Sequence, residues 1–158
     1  MLVRSARPDE YAALGELCVA AYRADDLGSP AYDAVLRDVA QRAAHAEVLV
    51  AADGGTPVGT VTLVLDGGPL GEIAAGDEGE FRMLAIAPAA QGRGAATALV
   101  EACAARARER GRRALVASSQ DRMRRAHAVY ERLGFVREPA RDWSPVEGVD
   151  LVVFTLAL

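Results

Sequence analysis

Apolar residues recur along the chain in two rhythms, one typical of helices and one typical of strands. Between Leu14 and Tyr22 the apolar positions are spaced by three and four residues, which predicts a helix with one buried stripe. Pro8 is followed by two acidic residues, a typical helix start, so this helix is predicted to run to about Arg23. One of its faces should therefore cover an apolar core.

A second helix is predicted after a break in the pattern. Gly28-Ser29-Pro30 interrupts the chain, and residues 31–44 then form the next predicted helix. Val35 and Val39 are expected to face inward from it.

The third and fourth predicted helices each end at a glycine, a residue common at helix C-caps. The third runs from about Gly94 to Arg110 and ends at Gly111, with arginines in its last turn. The fourth runs from about residue 122 to residue 133 and ends at Gly134. The chain is thus expected to contain about four helices.

Short apolar runs between these helices predict six or seven strands. The runs are residues 2–6, 47–52, 58–65, 80–86, 114–117, 135–136 and 150–156. The second and third runs flank a Gly-Gly turn and should pair as an antiparallel hairpin. Residues 66–79 hold five glycines and a proline, and we expect a mobile loop there. The element order predicts an α/β (α+β) fold with a mixed, mostly antiparallel sheet, within one domain spanning residues 1–158.

Composition and charge exclude several classes of function. A hydrophobic share of 51% with 25% charged residues is typical of a chain that folds by itself, and a net charge of −4 gives no reason to expect nucleic-acid binding. The absence of lysine excludes a P-loop lysine. No apolar run is long enough for a membrane span or a secretory signal, so a cytoplasmic location and no membrane partner are expected. Cys18 and Cys103 are expected to be buried, inert thiols.

One hexapeptide points to chemistry. Gln91-Gly92-Arg93-Gly94-Ala95-Ala96 lies between a strand that stops before Pro88 and a helix. Successive N–H groups of a glycine-rich turn at a helix N-terminus bind phosphate oxygens, and Arg93 adds a cation. A Rossmann fingerprint does not fit, because Thr97 stands where a third small residue belongs. The hexapeptide alone therefore indicates a phosphate or diphosphate site, or a loop of purely structural purpose.

A second hexapeptide lies about 39 residues further along. Tyr130-Glu131-Arg132-Leu133-Gly134-Phe135 together with the first hexapeptide resembles the two signatures of the Gcn5-related N-acetyltransferase (GNAT) superfamily, in the same order. The resemblance is strong between Glu80 and Phe135. It implies that the sheet is splayed after the strand 114–117, and that acetyl-CoA enters this central wedge.

The resemblance also implies a set of cofactor-binding residues. Main-chain groups of the strand ending near Ile86 would pair with the pantetheine arm, and the glycine-rich turn would hold the diphosphate. Met123 stands where many members have an asparagine that helps to fix the pantetheine, so Ser119 or Gln120 would have to replace that hydrogen bond. The implied residues are Leu84, Ala85, Ile86, Gln91, Gly92, Arg93, Gly94, Ala95, Ala96, Thr97 and Met123.

Acetyl transfer from a thioester to an amine needs a base for the amine and an acid for the leaving thiolate. The resemblance makes Tyr130 the acid and Glu80, directly or through water, the base. His127 is an alternative base, and a main-chain N–H between residues 84 and 86 would polarise the carbonyl. For both Tyr130 and Glu80 a purely structural role is the competing interpretation.

The sequence says least about the molecule that accepts the acetyl group and about where it binds. The resemblance places it between residues 22–32 and 137–148, where Asp25, Asp26 and Asp33 would attract an amine and Trp143 would form a wall. Arg122, Arg124 and Arg125 would meet the 3′-phosphate of the cofactor. An ordinary solvated surface is the competing interpretation for these arginines, for the three aspartates and for Trp143. A small-molecule amine is the expected partner, with a peptide N-terminus or a catalytically silent CoA sensor as alternatives. The resemblance leaves a homodimer open.

Overall fold

The computed structural model of the chain describes residues 1–158, which fold around one mixed sheet of eight strands. The strands are β1 (Leu2–Ser5), β2 (Glu47–Asp53), β3 (Thr56–Val64), β4 (Glu78–Ile86), β5 (Ala114–Gln120), β6 (Val136–Arg137), β7 (Trp143–Val146) and β8 (Val149–Ala157). The helices are α1 (Tyr11–Ala24), α2 (Pro30–Arg37), α3 (Val39–His45), α4 (Ala95–Glu109) and α5 (Arg124–Arg132). The fold class is confirmed, although the expected counts of six or seven strands and about four helices are each too low.

The strand order is β1-β2-β3-β4-β5-β8-β6, and β7 pairs with β8. Every pairing is antiparallel except that of β4 with β5, which is parallel. Alternate residues of the strands face opposite layers. Leu49 and Ala51 of β2 join the core beneath α4, whereas Val48 and Val50 pack beneath α1 and α3. The strand alternation therefore builds a layer of helices on each side of the sheet.

The sheet divides between β4 and β5. Their parallel pairing runs only from Glu78 opposite Ala114 to Glu80 opposite Val116, yet β4 continues to Ile86 and β5 to Gln120. A bulge in β4 contributes to this divergence, because Met83 has a positive φ of 54° and the register with β3 shifts there. The wedge expected in the middle of the sheet is thus present.

The predicted helix over residues 31–44 is two helices that meet at Asp38. The Asp38 carboxylate accepts a hydrogen bond from the N–H of Gln41 (3.2 Å) and so caps α3. The buried Arg42 guanidinium donates to the last carbonyls of α2, which stabilises the break. Since the break changes the phase of the helix, the prediction that Val35 faces inward is wrong: it is 48% exposed, whereas Leu36 is buried.

The loop expected to be mobile is tied to the sheet. Oε1 of Glu80 accepts hydrogen bonds from the N–H groups of residues 72–74 (2.9, 3.2 and 3.3 Å). Glu78 accepts one from the N–H of Ala75 (2.8 Å) and pairs with Arg141 (2.9 Å). Two carboxylates at the start of β4 therefore fix the second half of this loop.

The C-terminal part contains a strand that the sequence pattern does not reveal. β7 lies in the polar segment 137–148 and forms a hairpin with β8, with Trp143 opposite Leu151 and Val146 opposite Val149. It escapes prediction because it is short, contains Pro145 and has mostly exposed side chains.

Two further expectations concern buried sulfur and membranes. Cys18 and Cys103 are both fully buried, as predicted, and burial raises the pKa of each thiol. None of the helices has the length and apolar character needed to cross a membrane.

Candidate active site

The glycine-rich turn after β4 presents a row of free main-chain donors. Gly92 and Gly94 have φ values of 78° and 87°, a left-handed conformation that favours glycine. No N–H from Gly92 to Thr97 donates a hydrogen bond within the protein, and the first bond of α4 runs from Ala98 N–H to the Gly94 carbonyl (3.0 Å). Free N–H groups at the positive end of a 15-residue helix suit the oxygens of a phosphate or diphosphate.

The Arg93 side chain does not contribute to this array. It is half-exposed and pairs with Asp53 at the β2–β3 turn. The anion site is therefore built from main-chain groups, and the expected cation of Arg93 is directed elsewhere.

A cavity of about 530 Å³ opens beside this turn, and we call it the cradle cavity. Its walls come from the turn, the end of β4, α1 and α5. The sequence-predicted residues that line it are Leu84, Ala85, Ile86, Gln91, Gly92, Gly94, Ala95, Ala96, Thr97 and Met123. Arg125 and Asp25 also line it, whereas Arg124 lines neither this cavity nor the next.

A second cavity of about 480 Å³ lies on the other side of the wedge. Tyr22, Tyr32 and Tyr130 line it, and we call it the tyrosine cavity. The loop after α1 and the β7–β8 turn close its outer side, where Ser29 and Gly148 are among the lining residues. These are the two segments expected to bound an acceptor.

The two cavities share three lining residues: Tyr22, Leu84 and Met123. Leu84 lies beyond the last pairing of β4 with β5, so the shared wall stands in the wedge. Met123 occupies the N-cap of α5 on the other side. The two cavities are therefore adjacent at this junction.

Tyr130 reaches the tyrosine cavity from a buried aromatic cluster. Its ring packs against Phe81, Phe135 and Phe154, with centroids 5.4 to 5.6 Å away, and 3% of the residue is exposed. Its hydroxyl has no partner in the protein. Burial raises the pKa of this phenol, so Tyr130 is protonated at neutral pH and has a proton to donate.

Glu80 lies deeper than the cavities. It is 1% exposed, lines neither of them, and holds the loop N–H groups described above. The structural role of its carboxylate is therefore clear, and its catalytic role stays a prediction.

The sequence analysis did not recognise two polar pairs at the tyrosine cavity. Ser119 Oγ and His127 Nε2 are 2.8 Å apart, and Ser119 lines the cavity. Glu72 and Arg82 also line it and form an ion pair of 2.8 Å. Arg82 stands out in the sequence because it is a charged residue inside the apolar run of β4. Its partner and the pairing of Ser119 with His127 could not be predicted, because the tertiary fold brings these residues together.

The acidic residues expected to attract an amine do not line the tyrosine cavity. Asp33 is buried and pairs with Arg23 (2.9 Å), and Asp26 is fully exposed. Trp143 lies in β7 but contributes to neither cavity. Arg122 lines the tyrosine cavity rather than the cradle cavity.

Comparison with known proteins identifies the family of the chain. The family model described as the acetyltransferase (GNAT) family matches residues 11–135. No curated protein matches the chain by sequence.

Solved structures share the fold at low sequence identity. An acetyltransferase of the GNAT family from Staphylococcus aureus has a TM-score of 0.76 and 10% identity over 99% of this chain and 98% of its own. YncA from Salmonella typhimurium, solved with its cofactor acetyl-CoA, has a TM-score of 0.67 and 20% identity over 99% and 93%. A ribosomal-protein-alanine N-acetyltransferase from Brucella melitensis has a TM-score of 0.68 and 20% sequence identity over the full length of both chains. The chain belongs to the acetyltransferase (GNAT) family and is an N-acetyltransferase that uses acetyl-CoA as its cosubstrate.

Proposed function

We propose that this enzyme transfers the acetyl group of acetyl-CoA directly to a primary amine of a small molecule, and that one domain spanning residues 1–158 performs the reaction. The observation that carries the proposal is the meeting of the two cavities at Tyr22, Leu84 and Met123. One cavity offers main-chain donors for a diphosphate, and the other offers the hydroxyl of Tyr130.

The free N–H groups from Gly92 to Thr97 support a role in holding the diphosphate. The edge of β4 that faces β5 has no strand partner beyond Glu80, so the main-chain groups between Leu84 and Ile86 are suited to pair with the pantetheine arm. Met123 would contact that arm through its thioether side chain, without the hydrogen bond of an amide. Acetyl-CoA, when bound, supplies an activated acyl group.

The transfer needs one bond made, one bond broken and two protons moved. The amine nitrogen forms a bond to the acetyl carbon, and the carbon–sulfur bond breaks with its electron pair going to sulfur. A base takes the proton that the amine loses, and Tyr130 gives its hydroxyl proton to the thiolate. The phenolate of Tyr130 then takes a proton from solvent, and the protonated base releases one to solvent, so that an amide and free coenzyme A leave.

For the base, the contacts favour His127 acting through Ser119. Ser119 Oγ lies in the cavity wall and within hydrogen-bond distance of the imidazole, so a proton can pass from the amine to Ser119 while the Ser119 proton passes to His127. Burial lowers the pKa of His127, against the raising effect of Asp121 and Glu131 and with the lowering effect of Arg124 and Arg137. A neutral imidazole at physiological pH can accept a proton.

Glu80 and water are the other candidates. Oε1 of Glu80 already accepts three N–H groups, and a water chain would be needed to connect this carboxylate to an amine in the cavity.

The walls of the tyrosine cavity support a small acceptor over a protein N-terminus. Pro145, Val146 and Gly148 of the β7–β8 turn close one side, and Gly28 and Ser29 close another. A volume of about 480 Å³ is in the usual range for small-molecule sites.

The direct test is incubation of the enzyme with acetyl-CoA and a panel of primary amines. Free thiol should appear in a one-to-one ratio with an N-acetyl product identified by mass spectrometry. A product on peptide N-termini alone would favour the protein-acetylating alternative. Tight coenzyme A binding with no product on any amine would identify a silent sensor module.

A further inference from the structure

We propose that the acceptor is an α-amino acid with an apolar or aromatic side chain, and that Arg82 binds its carboxylate. This inference rests on the proposed function, because it names the acceptor class for the tyrosine cavity.

The guanidinium of Arg82 is held in place from two sides. Its Nε faces Glu72 at 2.8 Å, and its Nη1 donates to the carbonyl of Leu70 (3.1 Å). The N–H of Glu72 is in turn bound by Glu80. The side chain of Arg82 is 18% exposed, and its Nη2 has no partner in the protein. A fixed guanidinium with one free amino group in a cavity wall is suited to a carboxylate.

The charges of the cavity point the same way. Three charged side chains line it, Glu72, Arg82 and Arg122, with a sum of one positive charge. Asp25, Asp26 and Asp33 stand outside it. Glu72 is paired with Arg82, and Arg122 lies 3.9 Å from Asp26, so the lining offers no unpaired carboxylate to a polycationic amine.

The position of Arg82 along β4 limits how far the carboxylate stands from the amine. Only Met83, the residue at the bulge of β4, stands between Arg82 and Leu84, so the Cα atoms of these two residues are at most about 7 Å apart. Leu84 marks the junction where the acetyl group would be presented. The anionic group must therefore be close to the reacting amine, as it is in an α-amino acid.

Part of the remaining cavity wall is apolar and aromatic, beside the polar residues Ser29, Ser118, Ser119 and Gln120. The rings of Tyr22 and Tyr32 are 5.7 Å apart and stand in its wall. Met83, Val149 and Leu151 also line it. This part of the wall offers a packing surface for an apolar or aromatic side chain of the acceptor.

The first test needs no variant. Acetylation of L-phenylalanine and L-methionine is compared with that of 2-phenylethylamine and L-phenylalaninamide, which lack the carboxylate. We expect kcat/KM to be roughly tenfold or more higher for the two acids, because a charge-assisted hydrogen bond is lost in the other two. Equal values, or a preference for the analogues that lack the carboxylate, would overturn the inference.

The second test uses Arg82→Gln, with Arg108→Gln on the exposed face of α4 as the matched control. Arg82→Gln should abolish the preference for L-phenylalanine over 2-phenylethylamine, and Arg108→Gln should retain it. A purely structural effect would lower both rates in proportion and leave the preference intact, which would contradict the assignment. If no amine of any kind is acetylated, the proposed function itself fails, whereas acetylation without regard to the carboxylate removes only this inference.

Discussion

At the scale of single residues, Tyr130 has the most demanding role. Its ring is packed in an aromatic cluster, whereas its hydroxyl has no protein partner and can contact a ligand. Burial raises the pKa of the hydroxyl and keeps it protonated. Tyr130→Phe should lower kcat for thiol release by roughly 100-fold, since general acid catalysis contributes on that order. Coenzyme A affinity, measured by calorimetry, should stay within about twofold, because the ring and its packing are kept. An unchanged kcat would remove Tyr130 from the reaction.

His127 should be visible in the pH dependence of the reaction. Because burial lowers the pKa of His127, the imidazole is neutral above its ordinary value of about 6.5 and accepts a proton there. kcat/KM should therefore be level from about pH 7 upward and fall on the acid side of pH 6.5.

In His127→Gln the acid-side fall should disappear. kcat/KM should instead rise with pH until the acceptor amine loses its proton in solution. His45→Gln, a substitution at an exposed histidine, provides the control and should keep the parent profile. A parent-like profile in His127→Gln would contradict the relay through Ser119.

Single residues were predictable where the chemistry lies within one segment. The glycine-rich turn and Tyr130 could be found because their neighbours in sequence are also their neighbours in space. Arg82 and Glu72 could not, since their pairing depends on a loop that Glu80 fastens to the sheet from eight residues away. Pairs of residues that only the tertiary fold brings together are difficult to predict from the sequence.

At the scale of elements, the turn that begins α4 should determine cofactor affinity. An added Cβ at Gly94 meets open space, so a bulky side chain could be placed there and would stand among the free N–H groups. The φ of 87° at this position strains the backbone of any residue other than glycine. Gly94→Trp should weaken coenzyme A binding by at least about 100-fold, because several charge-assisted hydrogen bonds are blocked together.

The matched control is Gly111→Trp. Gly111 also has a positive φ, of 70°, and open space around it, but it lies just beyond the other end of α4. Both variants should lose similar stability, and only Gly94→Trp should lose affinity in calorimetry. Equal affinity in the two variants would contradict the cradle.

The loop before β4 is a second element whose behaviour is predictable. Glu80→Gln removes the charge that assists three loop hydrogen bonds, so the free energy of unfolding in urea should fall by about 1–3 kcal/mol. Limited proteolysis should then begin between residues 66 and 77. Glu101→Gln, on the exposed side of α4, should change neither measurement. Unchanged stability in Glu80→Gln combined with an altered pH–rate profile would favour Glu80 as the base.

Elements were predicted well where their patterns are long. The helices α1 and α4 and the hairpin of β2 and β3 lie close to their predicted positions. The division of residues 31–44 was missed because the cap at Asp38 and the buried Arg42 act across the break. When the capping residues are not considered, the apolar pattern alone predicts one long helix where the chain forms two short ones.

At the scale of the whole molecule, the proposed reaction uses the gap that opens where the pairing of β4 with β5 ends. The order of elements predicts a mixed, mostly antiparallel sheet covered by helices, and that prediction is confirmed. The divergence of β4 from β5 was predicted only from the family resemblance. The alternation of apolar and polar residues predicts a strand but not the residue at which its pairing with a neighbour ends. The bulge at Met83 and the packing of α1 and α5 over the gap are properties of the assembled fold.

The central claim is that main-chain N–H groups after β4 hold the diphosphate and thereby direct the acetyl group into the wedge. A crystal structure of the enzyme with acetyl-CoA tests it most directly. The account predicts phosphate oxygens within hydrogen-bond distance of the N–H groups between Gly92 and Thr97, and a thioester between Leu84 and Tyr130. Coenzyme A bound with its diphosphate away from this turn would contradict it.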